Sequence, residues 1–236
     1  GMSRAKNCVN VLMKNYMDLC VGSLVFWCVG YGLMFGTNIS GFFGTDHFFP
    51  ESINSEFGWG FILFQIMFAA TATTIASGAM AERTNFIGYL IGAVVITGLI
   101  YPIYGSWVWN ENGWLTQMGF IDFAGSTAVH SVGAWCALAG IIVLGARVGR
   151  FDSEGKPREI RGHNLNFVAL GGFLLWFGWF GFNGGSTLRV SEDIGLINLN
   201  TQLSACAGAV AVMLIAFLSR KRLLLTDTVN GCLAGL

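Results

Sequence analysis

The chain has 236 residues, of which 54% are hydrophobic and only 11% are charged. A soluble domain carries about 25% charged residues, so this chain has too little polar surface to enclose a water-facing globule. Its formal net charge of +0 gives no bulk attraction to nucleic acid or to an acidic partner. The composition therefore excludes an ordinary soluble domain and indicates a membrane protein.

Long apolar runs divide the chain into candidate membrane spans. Each is close to the length that a helix needs to cross a hydrocarbon layer of roughly 30 Å. Unbroken runs without strict alternation favour helices over barrel strands, the other structure that satisfies backbone groups in lipid. In chain order the predicted spans are 9–35, 58–81, 86–109, 123–144, 165–182 and 199–218, and a seventh begins near Val229 but stops at Leu236. The sequence thus predicts an all-α, polytopic transmembrane helical bundle.

Basic residues predict how this bundle is oriented. Lysine and arginine collect on cytoplasmic loops, because they resist translocation. With six spans, twelve of the thirteen basic residues fall on one side, and only Arg189 falls on the other. We therefore expect a multi-pass protein of the cell membrane whose residue 1 end is cytoplasmic. The segments 36–56, 110–122 and 184–198 are predicted to lie outside.

Two charged residues fall inside the first predicted span. Lys14 and Asp18 lie four residues apart, near the predicted inner end of that helix. We interpret them as a local ion pair at the membrane interface, and an ion relay is the alternative.

A histidine lies about a third of the way into the fourth predicted span. An ionisable group at that depth is a candidate functional residue. The neutral imidazole of His130 offers one hydrogen-bond donor and one acceptor, which suits a path for a proton or an amine. The alternative is a histidine that only hydrogen-bonds a neighbouring helix.

The same span opens with an acidic residue. Asp122 stands directly before Phe123, Ala124 and Gly125. A carboxylate at a helix start caps exposed amides and complements the helix dipole, so we expect a structural role rather than direct contact with cargo.

Aromatic residues are abundant, with 20 Phe and 8 Trp. Most are expected to face lipid or the membrane interface. An aromatic face attracts a bare cation by roughly 0.5–2 kcal/mol, so rings that converge on one path would replace part of the water around a small cation. Spacing alone does not show such convergence.

Four segments together carry a family resemblance. Asp122-Phe-Ala-Gly-Ser-Thr-Ala-Val-His130 and Gly178-Trp-Phe-Gly-Phe-Asn-Gly-Gly-Ser186 are similar to signatures of the ammonium transporter (Amt/Mep/Rh) family. Ala79-Met-Ala-Glu-Arg83 resembles a third family motif, and Ser3-Arg-Ala-Lys-Asn7 resembles the first inner loop. The matches occur in the family's order over nearly the whole chain.

The resemblance implies a homotrimer in which each subunit has its own pore. Ammonium would be recruited at an outer aromatic site, lose a proton, and cross as ammonia through an apolar pore. Phe68 and Phe182 match the gate, His130 matches the first pore histidine, and Asp122 matches the acidic residue that supports the outer vestibule. The positions that match the recruitment site are Phe64, Phe68, Trp109 and Ser186.

The resemblance also implies that residues 1–236 are an internal fragment of the membrane domain. Family members have eleven spans in two inverted halves plus one. About six to seven of them are expected here, with the first span and roughly the last four absent. The second pore histidine is expected beyond Leu236.

Two other hypotheses about the function stay open. The first is an ammonium sensor, in which the same membrane domain is fused to a cytoplasmic signalling module. The second is an unrelated aromatic-rich transporter. An enzyme is not expected, and neither a cofactor nor a metal site is predicted. The expected partners are ammonium or ammonia, the lipid bilayer, other copies of the chain, and a cytoplasmic regulatory protein or fused signalling domain, but no nucleic acid.

Overall fold

A computed structural model describes residues 1–51 and 58–236. Within these residues the chain forms ten α-helices, which confirms the all-α prediction. Their bounds are Cys8–Val25 (α1), Tyr31–Phe35 (α2), Gly58–Met80 (α3), Phe86–Val95 (α4), Tyr101–Trp109 (α5), Trp114–Gln117 (α6), Val132–Leu144 (α7), Leu165–Gly185 (α8), Asp193–Leu218 (α9) and Leu225–Gly235 (α10). Three π-helical segments, Phe26–Gly30, Ile96–Ile100 and Ser126–Ser131, join α1 to α2, α4 to α5, and lead into α7.

Among the described residues, six helical stretches are long and apolar enough to cross a membrane. They coincide with the six predicted spans, and the chain is a multi-pass membrane protein. The third extends beyond its predicted end to Gln117. The sixth begins earlier than predicted, because α9 starts at Asp193 and not at residue 199. Its first turns contain Asp193 and Asn198, which lowered the hydropathy of that stretch, although an acidic residue is favourable at a helix start. The end of the predicted outer segment 36–56 lies outside the described residues.

The helices form two compact units. The smaller unit consists of Gly1–Ala5 and Arg161–Leu236, and α8, α9 and α10 pack together in it. Glycines let α9 and α10 come close together, since a Cβ atom built on Gly208 would collide with the carbonyl oxygen of Gly231. In lipid, helices associate through such small residues, because these let two backbones come together.

The larger unit spans Lys6–Ile160. In it α3 packs against both α1 and α7, α1 packs against α4, and α2 packs against α5. The segment after α2 is fixed by Asn110, whose amide donates to the carbonyl oxygens of Met34 at 3.1 Å and Gly36 at 2.9 Å. A buried hydrogen bond of 3.1 Å from Asn38 to Ser106 Oγ adds to this anchor.

The loops after α3 and α7, residues 81–85 and 145–160, carry basic residues. We call this end of the larger unit the basic end. The Glu82 side chain is fully buried there and lies 3.6 Å from the guanidinium of Arg147. Arg83 donates to the carbonyl oxygens of Ala79 and Gly145. We call these contacts the Glu82–Arg147 junction. They hold the end of α3 against the end of α7.

Candidate functional site

Three of the predicted aromatic residues lie together in the larger unit. Phe64 and Phe68 are one turn apart on α3, and their ring centroids are 4.2 Å apart. Trp109, the last residue of α5, places its ring 6.0 Å from that of Phe68. Phe68 is only 3% exposed, whereas Phe64 and Trp109 are half-buried. We call these three side chains the ring cluster.

A hydrogen bond fixes the orientation of Trp109. Its indole Nε1 donates to the backbone carbonyl oxygen of Asp122 at 2.6 Å. The ring edge also lies against Gly125, where a Cβ atom would come within 3.3 Å of Trp109 Cη2 and 2.5 Å of Val129 Cγ2. Gly125 has φ +93°, a conformation that favours glycine. The segment that starts at Asp122 therefore sets one side of the ring cluster.

The Asp122 carboxylate organises that segment. It accepts hydrogen bonds from four backbone amides, of Gly125 (2.7 Å), Ser126 (3.0 Å), Thr127 (2.9 Å) and Ala128 (2.8 Å). The Thr127 hydroxyl donates a fifth at 2.6 Å. These amides would otherwise have no partner, because the first turn of a helix has no carbonyl groups before it. Asp122 thus acts as the cap of the π-helical segment.

These hydrogen bonds also determine the charge of Asp122. Burial favours the neutral acid, but the hydrogen bonds from Thr127, Ala128 and Gly125 outweigh it and hold the pKa of Asp122 below its ordinary value. The residue is therefore ionised at neutral pH. It places a negative charge near the ring cluster, and the charge is already satisfied by five donors.

The π-helical segment ends beside His130 and carries its ring. The carbonyl oxygen of Gly125 accepts from the backbone amides of Val129 and His130, both at 3.0 Å. The same oxygen lies 3.3 Å from His130 Nδ1. A carbonyl oxygen only accepts, so Nδ1 must carry the proton in this contact, and Nε2 is the acceptor of the neutral ring. This contact favours the tautomer of the half-buried His130 in which Nδ1 carries the proton.

In the smaller unit, Phe182 and Ser186 are one turn apart near the end of α8. The Phe182 ring stacks on Trp179 with 5.0 Å between centroids and 15° between planes. The Ser186 hydroxyl donates to the carbonyl oxygen of Phe182 at 2.7 Å. Because its only proton is used in that bond, the Ser186 oxygen can serve a further partner as an acceptor.

The structure thus places the predicted residues in two groups. Phe64, Phe68, Trp109, Asp122 and His130 belong to the larger unit, and Phe182 and Ser186 belong to the smaller one.

Sequence reasoning missed Gly125, whose carbonyl oxygen holds His130 and whose missing side chain admits the Trp109 ring. A glycine three residues after a capping aspartate was the available signal. The π-helical geometry had no sequence signal. Within the described residues no cluster of three or more His, Cys, Asp or Glu side chains is placed to hold a metal ion.

Comparison with known sequences identifies relatives of the chain. A family model described as the Ammonium Transporter Family matches residues 1–236. The ammonium transporter Amt2 of Archaeoglobus fulgidus is 47% identical, and the match covers 100% of this chain and 53% of that protein. Ammonium transporter 1 member 2 of Arabidopsis thaliana is 38% identical, with 100% and 51% covered. The chain spans about half the length of these curated relatives.

Solved structures give the same answer for the fold. A structure titled Sensor Amt Protein superposes with a TM-score of 0.96 at 43% identity, covering 99% of this chain and 60% of that one. Candida albicans Mep2 gives a TM-score of 0.89 at 32% identity, covering 100% and 54%. The bundle therefore has the ammonium transporter fold, and the chain belongs to the ammonium transporter family.

Proposed function

We propose that this protein carries ammonium or ammonia across a membrane. The observation that carries the proposal is the link between the ring cluster and His130. The indole of Trp109 is bonded to Asp122, and the carboxylate of Asp122 caps the segment that holds His130. One short piece of chain thus positions both an aromatic cation site and an imidazole. The family membership supports ammonium as the cargo.

Recruitment is the first step of the proposed mechanism. Ammonium binds over the faces of Phe64, Phe68 and Trp109, each of which attracts it by roughly 0.5–2 kcal/mol. Ser186, assigned to recruitment by the family resemblance, has an oxygen that can accept a hydrogen bond from ammonium, because its own proton is already donated to Phe182. Phe68 and Phe182 act as the gate. The charge of Asp122 favours a cation nearby, while its oxygens stay engaged with backbone amides.

Deprotonation is the second step. Moving an unpaired cation into an apolar environment is costly, whereas neutral ammonia crosses at a far smaller cost. A potassium ion has no proton to lose, so the same path rejects it. His130 then accepts a hydrogen bond from ammonia at Nε2, since Nδ1 faces the Gly125 carbonyl.

The remaining features of the proposal concern the assembled protein. Residues 1–236 are part of an ammonium transporter membrane domain, and the protein forms a homotrimer in the cell membrane. The residue 1 end is cytoplasmic, because the basic loops collect on that side. A cytoplasmic regulatory protein or a fused signalling domain is a further partner.

A sensor is the second candidate function. The observation that favours it is the TM-score of 0.96 with a structure whose title names a sensor. A sensor must bind ammonium but need not carry it across the membrane. Both functions therefore predict ammonium binding, and only the transporter predicts uptake.

Uptake of radiolabelled methylammonium by transporter-deficient cells tests the proposal. We expect uptake that ammonium inhibits and potassium does not. Replacement of Trp109 by leucine removes one ring and is expected to raise the half-saturating concentration about tenfold, the equivalent of about 1.4 kcal/mol. Trp59→Leu is the matched control, because Trp59 lies on α3 but is 55% exposed and outside the ring cluster.

Three results would count against parts of this account. Equal effects of Trp109→Leu and Trp59→Leu would remove the ring cluster from the site. Ammonium binding without any uptake would favour the sensor. Uptake that potassium inhibits as well as ammonium does would contradict the step in which the cargo loses a proton.

A further inference from the structure

A buried polar cluster lies between α1 and α4, at the basic end of the larger unit. Lys14 is 2% exposed, Asp18 is 0% exposed and Tyr89 is 2% exposed. Helix packing therefore encloses both members of the predicted Lys14–Asp18 ion pair. Lys14 and Asp18 form hydrogen bonds with Thr84 and Tyr89. These partners lie outside the ring cluster and outside the segment from Asp122 to His130.

The two oxygens of the Asp18 carboxyl group differ. Oδ2 accepts a hydrogen bond of 2.5 Å from the Tyr89 hydroxyl. Oδ1 is buried and has no hydrogen-bond partner. An ionised oxygen without a donor is among the most costly groups to bury in a protein, and more so in a chain that crosses a membrane.

Lys14 does not remove the cost of burying Oδ1. Its Nζ atom donates to the carbonyl oxygen of Thr84 at 2.5 Å and lies 5.6 Å from the centre of the Tyr89 ring. The ammonium group is thus held by a backbone carbonyl and an aromatic face at the loop that follows α3. Its charge acts on Asp18 through space, but it supplies no donor to Oδ1.

Few titratable groups lie on the described elements packed against α1. These elements are α3, α4 and the π-helical segments next to them. Described residues 58–80 and 96–100 contain no acidic or basic side chain, and α4 contributes only Tyr89. The segment Phe26–Gly30 carries Cys28, and the loop that Lys14 contacts carries Glu82 and Arg83. Lys14 and Tyr89 are the charged or hydrogen-bonding groups nearest to Asp18 on α1 and α4.

We propose that Asp18 is a proton-binding site, distinct from the ammonium path, that exchanges its proton with water at the basic end. The proton adds to Oδ1 and forms a neutral carboxyl group, while Lys14 keeps its charge on the Thr84 carbonyl. The charge of the Lys14–Asp18 pair then changes from zero to plus one. Release of the proton to water restores the carboxylate, which Tyr89 and Lys14 stabilise.

Infrared spectroscopy of the protein in liposomes tests this proposal directly. We expect the C=O stretch of a protonated carboxyl group that persists above the range in which exposed carboxyls ionise, about pH 4. It should disappear as the pH is raised between about pH 5 and about pH 9, the range documented for buried carboxyl groups. Asp18→Asn should abolish the band. Glu154→Gln, at a side chain that is 69% exposed, should leave it unchanged.

A second variant keeps the test valid if Asp18→Asn does not fold. Tyr89→Phe removes the donor to Oδ2 and destabilises the carboxylate, so the midpoint of the band should move to higher pH. An unchanged midpoint in Tyr89→Phe would overturn the proposal. So would the absence of a titrating band in the wild-type protein, or a band that survives in a folded Asp18→Asn protein.

Discussion

Single residues connect the two ends of the candidate site. Asp122 uses its backbone carbonyl to orient the Trp109 indole and its carboxylate to cap the segment that leads to His130. Gly125 accepts from His130 with its carbonyl oxygen and leaves room for the Trp109 ring. A change at either residue therefore acts on the rings and the imidazole together, although neither is proposed to touch the cargo.

The acid response of stability tests the cap. In the wild type, five donors share the two carboxylate oxygens of Asp122. Asparagine has only one side-chain oxygen for them, so Asp122→Asn should lower the free energy of unfolding by about 1–2 kcal/mol at neutral pH. The folded-state pKa of Asp122 is lowered, so its stabilising effect is fully present above the unfolded value of about 3.9. The effect is lost as the pH falls through the folded value.

Thermal unfolding of both proteins from neutral to acidic pH measures this effect. The difference between wild type and Asp122→Asn should shrink in acid. Glu154→Gln provides the control, since Glu154 is exposed. A difference that stays constant across the titration would show that the Asp122 carboxylate does not stabilise the fold through its charge.

At the scale of helices, three π-helical segments and one junction shape the larger unit. The wider π turn at Ser126–Ser131 lets one carbonyl oxygen, that of Gly125, serve the amides of Val129 and His130. Such turns within α-helices are frequent at functional sites. The junction at the basic end fixes α3, which carries Phe64 and Phe68, against α7.

A single and a double mutation of the Glu82–Arg147 junction should differ in their effect on stability. Arg147→Met removes the cation 3.6 Å from the buried Glu82 carboxylate and should cost about 2 kcal/mol, less than a fully buried pair would because Arg147 is 30% exposed. The double variant Glu82→Gln, Arg147→Met should recover part of that loss, since the Glu82 charge is removed as well. Thermal unfolding of both proteins gives the comparison.

An exposed pair serves as the control for this experiment. Lys156 and Glu154 are 73% and 69% exposed, so Lys156→Met should change stability very little. A double variant that is less stable than Arg147→Met would mean that Glu82 stabilises the junction through partners other than Arg147.

Much of the helix architecture was predictable, and its interruptions were not. Apolar runs between charged loops located all six spans because lipid requires continuous backbone hydrogen bonding. The start of α9 was missed because its polar first turns resemble a loop. The π-helical segments were missed because one additional residue per turn leaves no periodic signal over five or six residues.

The candidate site was predictable only by resemblance. Phe64 and Phe68 are four residues apart, which puts them on one face once the α3 helix is known. Nothing in composition or periodicity brings Trp109 to Phe68, because their contact depends on how α5 packs on α3. The burial of Lys14 and Asp18 was likewise hidden, since it arises from the packing of α4 and the loop at Thr84.

At the scale of the whole molecule, the proposed function depends on the ring cluster of the larger unit. The ring cluster and His130 both belong to the unit Lys6–Ile160. The proposal assigns one ammonium ion to the rings of Phe64 and Trp109 together. That assignment is the central claim, because a transporter of this kind depends on cation capture before the proton is lost.

A double-mutant cycle on methylammonium uptake tests that claim most directly. The half-saturating concentration is measured for the wild type, Trp109→Leu, Phe64→Leu and the double variant. The account predicts that each single change raises it and that the double variant is affected by clearly less or clearly more than the sum of the two free-energy changes. Additive effects, or no effect of Phe64→Leu, would contradict a shared recruitment site.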